Sequence, residues 1–312
     1  MTPAMAWEWN IAIFCMNEAK TIATCINSVA DAIGDRRALI TLVVNGSTDR
    51  SAEIAWQTAQ GRGVPIRIYT IAHADKANAI NRFYYELREP ADVYFFVDAY
   101  VKVGARALDA MARLLSEDPR RRAATGIAVS GRTMSLATEA TLQQGGIVHG
   151  QLHALPASFI DDIVRRGIRL PIGRYYGDGL LASMANHNLD PIANEWLSRR
   201  VAGVREATYE IPVLSLFRLD DWRRQLRRTV RQIRGRMENA AITDIVYQRG
   251  YNGLPEYSND MVKAFLATHP APRLPMWKRP FQVLALRQIR NSTLPAPTAL
   301  MPRPWQPPSP NP

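Results

Sequence analysis

Residues 39–51 read LITLVVNGSTDRS, and this stretch carries the clearest structural pattern in the chain. Its first six residues are all apolar or β-branched, which is typical of a strand that is buried on both faces. Asn45-Gly46 then predicts a turn, and Ser47 or Thr48 can cap the helix that follows. A buried strand, a short turn and a capped helix make up the repeating unit of an α/β protein with a parallel sheet.

The alternation of strands and helices continues on both sides of this stretch. Apolar or β-branched runs predict strands, and apolar residues at steps of three and four predict helices. The predicted strands are 9–16, 39–44, 66–71, 93–97 and 127–130, and the predicted helices include 22–33, 76–87, 105–115, 158–166, 179–185, 218–237 and 240–249. We therefore expect a mostly parallel, twisted sheet with helices on both faces and a helical C-terminal extension.

Polar residues stand where three of the predicted strands reach their carboxyl ends. They are Asn17-Glu18, Asn45-Gly46 and Asp98. In open α/β sheets, ligands bind outside the carboxyl ends of the strands. This edge of the sheet is therefore the expected binding site.

The charge of the chain is strongly positive, with 39 Lys and Arg residues against 28 Asp and Glu residues and a net charge of +11. Such a balance is compatible with nucleic acid, an anionic membrane surface or a phosphorylated small molecule as a partner. The segment 218–236 has eight arginines and two aspartates, a net charge of +6. More than half of the excess is therefore local, which argues against a diffuse nucleic-acid-binding coat.

Several classes of protein are excluded. Cys15 and Cys25 are too few for a disulfide scaffold, and no Cys pair has zinc-ligand spacing. The chain has no GxxxxGK[ST] phosphate loop and no GxGxxG between a predicted strand and a helix. The first ten residues lack the layout of a secretory signal, and no apolar stretch is long enough for a bilayer. We expect a cytoplasmic protein.

Four segments, in this order and spacing, resemble family 2 glycosyltransferases. They are IAIFCMNEAK (11–20), VVNGSTDRS (43–51), KANAIN (76–81) and FFVDAYV (95–101). Three later motifs continue the resemblance: Gly150-Gln151-Leu152-His153-Ala154, Tyr176-Gly177-Asp178-Gly179 and Gln225-Leu226-Arg227-Arg228-Thr229. The resemblance covers about residues 9–237 and implies a GT-A-like fold.

The resemblance also implies a reaction, the transfer of a sugar from a nucleoside diphosphate to an acceptor hydroxyl with inversion. Asp178 matches the general base of that family, although a carboxylate at the start of a helix is also an ordinary N-cap. Arg228 matches a cation on the leaving diphosphate, although most arginines of this helix have the pattern of a solvated face. The other expected substrate-binding residues are Asn17, Glu18, Asn45, Asp49, Lys76, Asp98, Tyr100 and Gly150.

A divalent cation, Mg²⁺ or Mn²⁺, is the cofactor that the resemblance implies, with Asp98 as its ligand. Family members carry a second acid two residues later, where this chain has Tyr100. Hard cations prefer several oxygen ligands, and a phenol is a poor substitute for a carboxylate. Tyr100 therefore leaves metal dependence open, and arginine side chains are one way to compensate.

We expect one GT-A-like domain in two parts, a nucleotide-sugar-binding half at 1–130 and an acceptor-binding half at 131–270, followed by a proline-rich tail at 271–312. Eight of the 18 residues from Pro295 onward are proline, which predicts an extended or disordered tail. The expected partners are a nucleoside-diphosphate sugar and a hydroxyl acceptor, a saccharide or a lipid-linked molecule, and not nucleic acid. A peripheral contact of the arginine-rich helix with the inner face of the membrane is compatible with this activity. Two alternatives remain: a degenerate nucleotide-binding protein without turnover, and a basic protein that binds the inner membrane surface or a polyanion.

Overall fold

The computed structural model describes residues 7–130, 144–174, 177–212, 219–271 and 273–307, without the side chains of 219–228. Its described strands form one nine-stranded sheet in the order β5-β8-β6-β7-β4-β1-β2-β3-β9. The strands are β1 (Trp7–Cys15), β2 (Ala38–Asn45), β3 (Ile66–Ile71), β4 (Ala91–Asp98), β5 (Lys102–Val103), β6 (Ala123–Ala128), β7 (Leu152–Pro156), β8 (Val201–Glu210) and β9 (Arg303–Pro304).

Helices cover both faces of this sheet, as the strand–helix alternation predicts. The bounds are α1 (Ile22–Ile33), α2 (Ser51–Gly61), α3 (Lys76–Arg82), α4 (Ala107–Glu117), α5 (Ala157–Arg165), α6 (Gly177–Asn186), α7 (Leu219–Arg249), α8 (Ser258–Thr268) and α9 (Arg279–Arg290). One apolar core lies between the sheet and α1, α2 and α4. The other core lies between the sheet and α3 and α5–α9. The α/β class is confirmed.

The sheet is mixed rather than mostly parallel along its full width. Strands β1–β4 pair in parallel, as their helical crossovers require, and β6 is also parallel to β8. Strand β7 runs antiparallel between β4 and β6, and β5 and β9 are antiparallel at the two edges. The fifth predicted strand is β6, which begins at Ala123 rather than at Ile127.

Two predictions for the C-terminal part are wrong. The helices predicted at 218–237 and 240–249 are one continuous helix, α7, because residues 238–239 carry no helix-breaking residue. The tail predicted at 271–312 is not simply extended or disordered. It contains helix α9 (Arg279–Arg290) and the short 3₁₀ helix Pro297–Leu300, and β9 pairs with the edge strand β3. Across the described part of the chain, no helix is both long enough and apolar enough to cross a bilayer.

Gly46 forms the turn at the end of β2 in a way that only glycine allows. Its φ of +69° lies in the left-handed region, and a Cβ on it would clash with Ala74, 2.7 Å from the Cα atom and 2.8 Å from the backbone nitrogen. Left-handed backbone costs an L side chain about 1–2 kcal/mol, and overpacking adds about 1–3 kcal/mol. The turn therefore brings the loop after β2 directly against the loop after β3.

Gly46→Ala is expected to lower the free energy of unfolding by about 3 kcal/mol, from both causes together. Gly63→Ala is the matched control, because Gly63 has a φ of +64° and nothing within 4 Å of its Cβ position. It should lose only the backbone part, about 1–2 kcal/mol. Chemical denaturation of both variants measures the difference, and equal losses would contradict the steric argument.

Candidate active site

A cleft of about 620 Å³ lies at the carboxyl ends of β1, β2 and β4. The sheet side supplies residues from the ends of these strands and from the start of α3, and the opposite side comes from the loop 172–174, helix α7 and the segment 292–295. The lining residues with ionisable acidic or basic side chains are Glu18, His73, Asp75, Lys76, Asp98, Arg174, Arg231 and Arg234. The sequence placed the site at this edge of the sheet, and the structure has its charged cleft there.

The register of the sheet brings the strand-end residues together. Phe14 of β1 lies opposite Val43 of β2 on one side and opposite Asp98 of β4 on the other. Asn45, the last residue of β2, is buried and lines the cleft. Glu18 also lines the cleft, and its carboxylate accepts a hydrogen bond of 2.6 Å from the Thr21 hydroxyl.

Asn17 and Asp49 are predicted site residues that join two loops and do not line the cleft. Asn17 has a φ of +57°, and its side-chain oxygen accepts from the Thr48 backbone nitrogen at 2.8 Å. Asp49 accepts from the Ala19 nitrogen at 2.9 Å and the Ser51 hydroxyl at 2.6 Å. Burial raises the Asp49 pKa, but these donors outweigh burial and hold it below its usual value. Both residues therefore fix the loop that follows β1.

Lys76, Asp98 and Tyr100 form a compact cluster in the cleft. The Lys76 ammonium donates to one oxygen of Asp98, and the Tyr100 hydroxyl donates to the other at 2.9 Å. Burial and the nearby carboxylate raise the pKa of Tyr100, so its hydroxyl stays protonated and remains a donor. Lys76 also donates to the Gly150 carbonyl at 3.2 Å.

The donor set around Asp98 does not fit a divalent cation. Mg²⁺ and Mn²⁺ prefer several oxygen ligands, with carboxylates foremost among the side chains. Both Asp98 oxygens accept hydrogen bonds from an ammonium or a protonated phenol, groups that repel or poorly ligate a cation. Within the described ranges, no three His, Cys, Asp or Glu side chains gather in a way that could hold a metal ion.

Asp178 also adjoins Gly150, the residue whose carbonyl accepts from Lys76. A Cβ placed on Gly150 would be 3.5 Å from both Cβ and Oδ2 of Asp178, so the aspartate packs directly over the glycine backbone. Asp178 is in the first turn of α6, where its Oδ1 accepts from the Gly179 nitrogen at 3.0 Å. It does not line the cleft itself. Tyr176, from the same predicted motif, lies outside the described residues.

Two desolvated groups, one buried and one half-buried, lie in the electrostatic field of Asp178. Arg174 is buried, which lowers its pKa to about 10, while Glu238 and Asp178 favour its charged form. His149 is also desolvated, which lowers its pKa, and Asp178 acts in the opposite direction. The His149 ring nitrogen Nδ1 lies 3.0 Å from the Tyr209 hydroxyl. Arg174 therefore remains a cation at neutral pH beside the Asp178 carboxylate.

The arginine-rich helix reaches the cleft with two described arginines. Arg231 is exposed and lines the cleft, whereas Arg234 is buried and donates to Glu238 Oε1 at 2.9 Å. Arg228 lies on α7, three residues before Arg231, and its side chain lies outside the described part.

Some residues of the site have no signal in the sequence. Asp75 caps α3 by accepting from the Asn78 nitrogen and also accepts from the Gly173 nitrogen, each at 2.6 Å. Burial raises its pKa, although both donors act in the opposite direction. Asp75 stands directly before the motif that begins at Lys76, and this position is the one sequence signal that could have identified it. Arg174 and the segment 292–295 lie outside every motif.

Comparisons with known proteins concern the fold and the first part of the chain. A family model described as glycosyl transferase family 2 matches residues 10–132. The fold is similar to that of the mannosyltransferase PcManGT from Pyrobaculum calidifontis, solved with GDP-Man and Mn²⁺, at 17% identity and a TM-score of 0.59 over 95% of this chain and 79% of that one. It is also similar to S. aureus TarS 1-349, solved with UDP-GlcNAc, at 13% identity and a TM-score of 0.54 over 90% and 80%. No curated protein matches the chain by sequence.

Proposed function

We propose that this chain, which matches a family 2 glycosyltransferase model over residues 10–132 and has a fold similar to that of PcManGT, moves a sugar from a nucleoside diphosphate to an acceptor hydroxyl with inversion. One observation carries the proposal: the Gly150 carbonyl accepts from Lys76, the ion-pair partner of Asp98, and the Cβ position of Gly150 is 3.5 Å from Asp178 Oδ2. A cationic group for the diphosphate and a carboxylate for the acceptor therefore both adjoin one glycine.

The proposed chemistry is a single in-line displacement. The acceptor oxygen forms a bond to the anomeric carbon while the bond from that carbon to the β-phosphate oxygen breaks on the opposite face, which inverts the centre. Asp178 takes the proton of the acceptor hydroxyl as that bond forms. Lys76, Arg174 and Arg231 supply positive charge for the leaving diphosphate, and we assign Arg228 to the same task from its place on α7.

The remaining predicted residues are proposed to hold the donor. Asn45 and Glu18 line the sheet side of the cleft, where they can reach the nucleoside with amide and carboxylate groups. Gly150 lets the donor approach the backbone closely. Asn17 and Asp49 support these residues by fixing the loops after β1 and β2.

The donor is tested with a panel that includes GDP-mannose and UDP-GlcNAc, the ligands of the two similar structures. Release of nucleoside diphosphate is measured with saccharide and lipid-linked acceptors, with and without Mn²⁺. Turnover of one donor, with inversion seen by NMR of the product, supports the proposal. Binding of a nucleoside diphosphate without turnover of any sugar would favour the degenerate binder, which the engagement of both Asp98 oxygens also fits.

The Lys76–Asp98–Tyr100 cluster predicts that substrate binding needs no metal ion. We therefore expect nucleoside diphosphate to bind without a divalent cation. Lys76→Met should weaken that binding by about 10- to 100-fold, since a hydrogen bond to a charged group is worth about 1.5–3 kcal/mol. Lys102→Met is the control, because Lys102 pairs with Glu210 on the surface at 3.1 Å. Titration calorimetry with EDTA or with Mn²⁺ measures both.

Tyr100→Asp is the complementary change, because it places a second carboxylate next to Asp98. We expect this variant to bind nucleoside diphosphate more tightly when Mn²⁺ is present than when EDTA is present, while the parent protein binds similarly in both. A parent protein that binds only with Mn²⁺ would show that Lys76 moves aside for the metal and would contradict the prediction.

A further inference from the structure

The C-terminal segment 271–312 has an unusual charge composition. It contains six Lys or Arg residues and no Asp or Glu. The cations are Arg273, Lys278, Arg279, Arg287, Arg290 and Arg303. None of them can be neutralised by an acid of the same segment, so the segment carries a net charge of +6. The glycosyl transfer proposed above uses none of these residues.

The same segment exposes large apolar side chains. Met276 is 77% exposed, Trp277 66% and Val283 64%, and Leu284 is exposed as well. Scattered single apolar residues are normal on a protein surface, but these four lie within nine residues of one another. The Lys278 ammonium lies 4.6 Å from the Trp277 ring centroid, so cation and aromatic ring already share one site.

Helix α9 displays this mixture on one face. Ala285 and Ile289 are buried and face the core that α7 and α8 also build. Arg279, Val283, Arg287 and Arg290 follow at steps of four, four and three, so they share the opposite face, and all four are exposed. The short helix Met276–Lys278 leads directly into this face.

We propose that this docking face, Met276, Trp277, Arg279, Val283, Arg287 and Arg290, binds the surface of an anionic phospholipid bilayer. Interfacial helices combine basic residues with Trp and aliphatic residues that enter the boundary of the acyl chains. Each Lys or Arg near an anionic leaflet contributes about 1 kcal/mol, which is roughly fivefold in affinity. The basic and apolar groups of the docking face match a surface that is negatively charged outside and apolar beneath.

The docking face is followed along the chain by residues that line the cleft. Ser292, Thr293, Leu294 and Pro295 follow α9 directly and line the cleft. A bilayer on the docking face would therefore lie next to the cleft, where an amphiphilic acceptor could enter from the membrane surface. The docking itself does not depend on glycosyl transfer, so the two proposals can fail separately.

The test is sedimentation of the full chain with vesicles of phosphatidylglycerol and phosphatidylcholine, compared with phosphatidylcholine alone. We expect binding only to the anionic vesicles, weakened by salt. Arg287→Gln/Arg290→Gln should weaken it about 25-fold, from two fivefold losses. Val283→Ser should weaken it several-fold, whereas its control Ile192→Ser should not, because Ile192 is 62% exposed and is not part of the docking face.

A second measurement keeps the test independent of folding. The variants should melt within a few degrees of the parent protein and should bind nucleoside diphosphate as the parent does, since the changed side chains are exposed. Equal binding of all variants to anionic vesicles would overturn the proposal. The proposal would also be overturned if the variants changed the oligomeric state measured by light scattering and the parent protein bound no vesicles. The occupant of the docking face would then be a second copy of the chain.

Discussion

Asp178→Asn is expected to lower kcat for glycosyl transfer by about 10²- to 10⁴-fold, the usual contribution of a general base. The amide cannot take the proton of the acceptor hydroxyl, so the bond to the anomeric carbon must form without that help. Binding of nucleoside diphosphate should change little, because Asp178 does not line the donor cleft. The variant therefore separates catalysis from donor binding, and steady-state kinetics with a calorimetric binding curve measures both.

The substitution also distinguishes a base from a purely structural residue in the first turn of α6. Asn keeps an oxygen that can accept from the Gly179 nitrogen and loses only the charge favoured near a helix N-terminus, worth about 0.3–1 kcal/mol, so a purely structural Asp178 predicts a variant with nearly full stability and full activity. Asp260→Asn is a matched control, since Asp260 is the acid in the first turn of α8 and pairs with Lys263 at 3.6 Å. A kcat close to that of the parent protein would remove Asp178 from the mechanism.

The strand-end part of the site could be predicted from the sequence because it depends on local patterns. A run of six apolar or β-branched residues followed by Asn-Gly places Asn45 at a carboxyl end, and the same argument places Asp98. Parallel pairing then brings these ends together, which the register of β1 with β2 and β4 confirms. The resemblance to a family added Asp178, which no local pattern separates from a helix cap.

The opposite side of the cleft could not be predicted, because it depends on contacts between distant parts of the chain. Asp75 accepts from the Gly173 nitrogen, and Arg234 donates to the Gly173 carbonyl at 2.9 Å. Neither contact leaves a periodic signal, since each joins single residues about 60 to 100 positions apart. In the described structure the turn around Gly173 is thus held from two elements.

The C-terminal tail shows how composition can mislead. Its prolines predict an extended chain, and β9 is indeed extended, but it is also paired. Pro304 lies opposite Tyr69 on the edge strand, where a residue without an N–H is tolerated. The Trp305 nitrogen then donates to the Ile68 carbonyl at 2.9 Å, and the Trp305 ring lies 6.5 Å from that of Trp56. Proline content alone does not report these contacts.

Glu238→Ala is expected to lower the free energy of unfolding by about 3–5 kcal/mol, because it leaves a buried cation without its ion-pair partner. Arg234 and Glu238 are 7% and 0% exposed, and their atoms Nε and Oε1 are 2.9 Å apart. The loss should be measured by chemical denaturation. Glu117→Ala is the control: Glu117 pairs with Arg113 at the same spacing on α4, both are more than 60% exposed, and the expected loss is at most about 0.5 kcal/mol.

The double variant Arg234→Met/Glu238→Leu shows how much of the loss in unfolding free energy comes from removing one partner of the ion pair, and how much the intact pair itself contributes. Replacing both buried partners by apolar groups is often neutral, so most of the stability should return. Recovery should stay incomplete, because Arg234 Nη2 also donates to the Gly173 carbonyl at 2.9 Å and to Asn259 Oδ1 at 2.6 Å. A double variant as unstable as Glu238→Ala would mean that these two bonds, rather than the ion pair, hold α7 against the turn at Gly173.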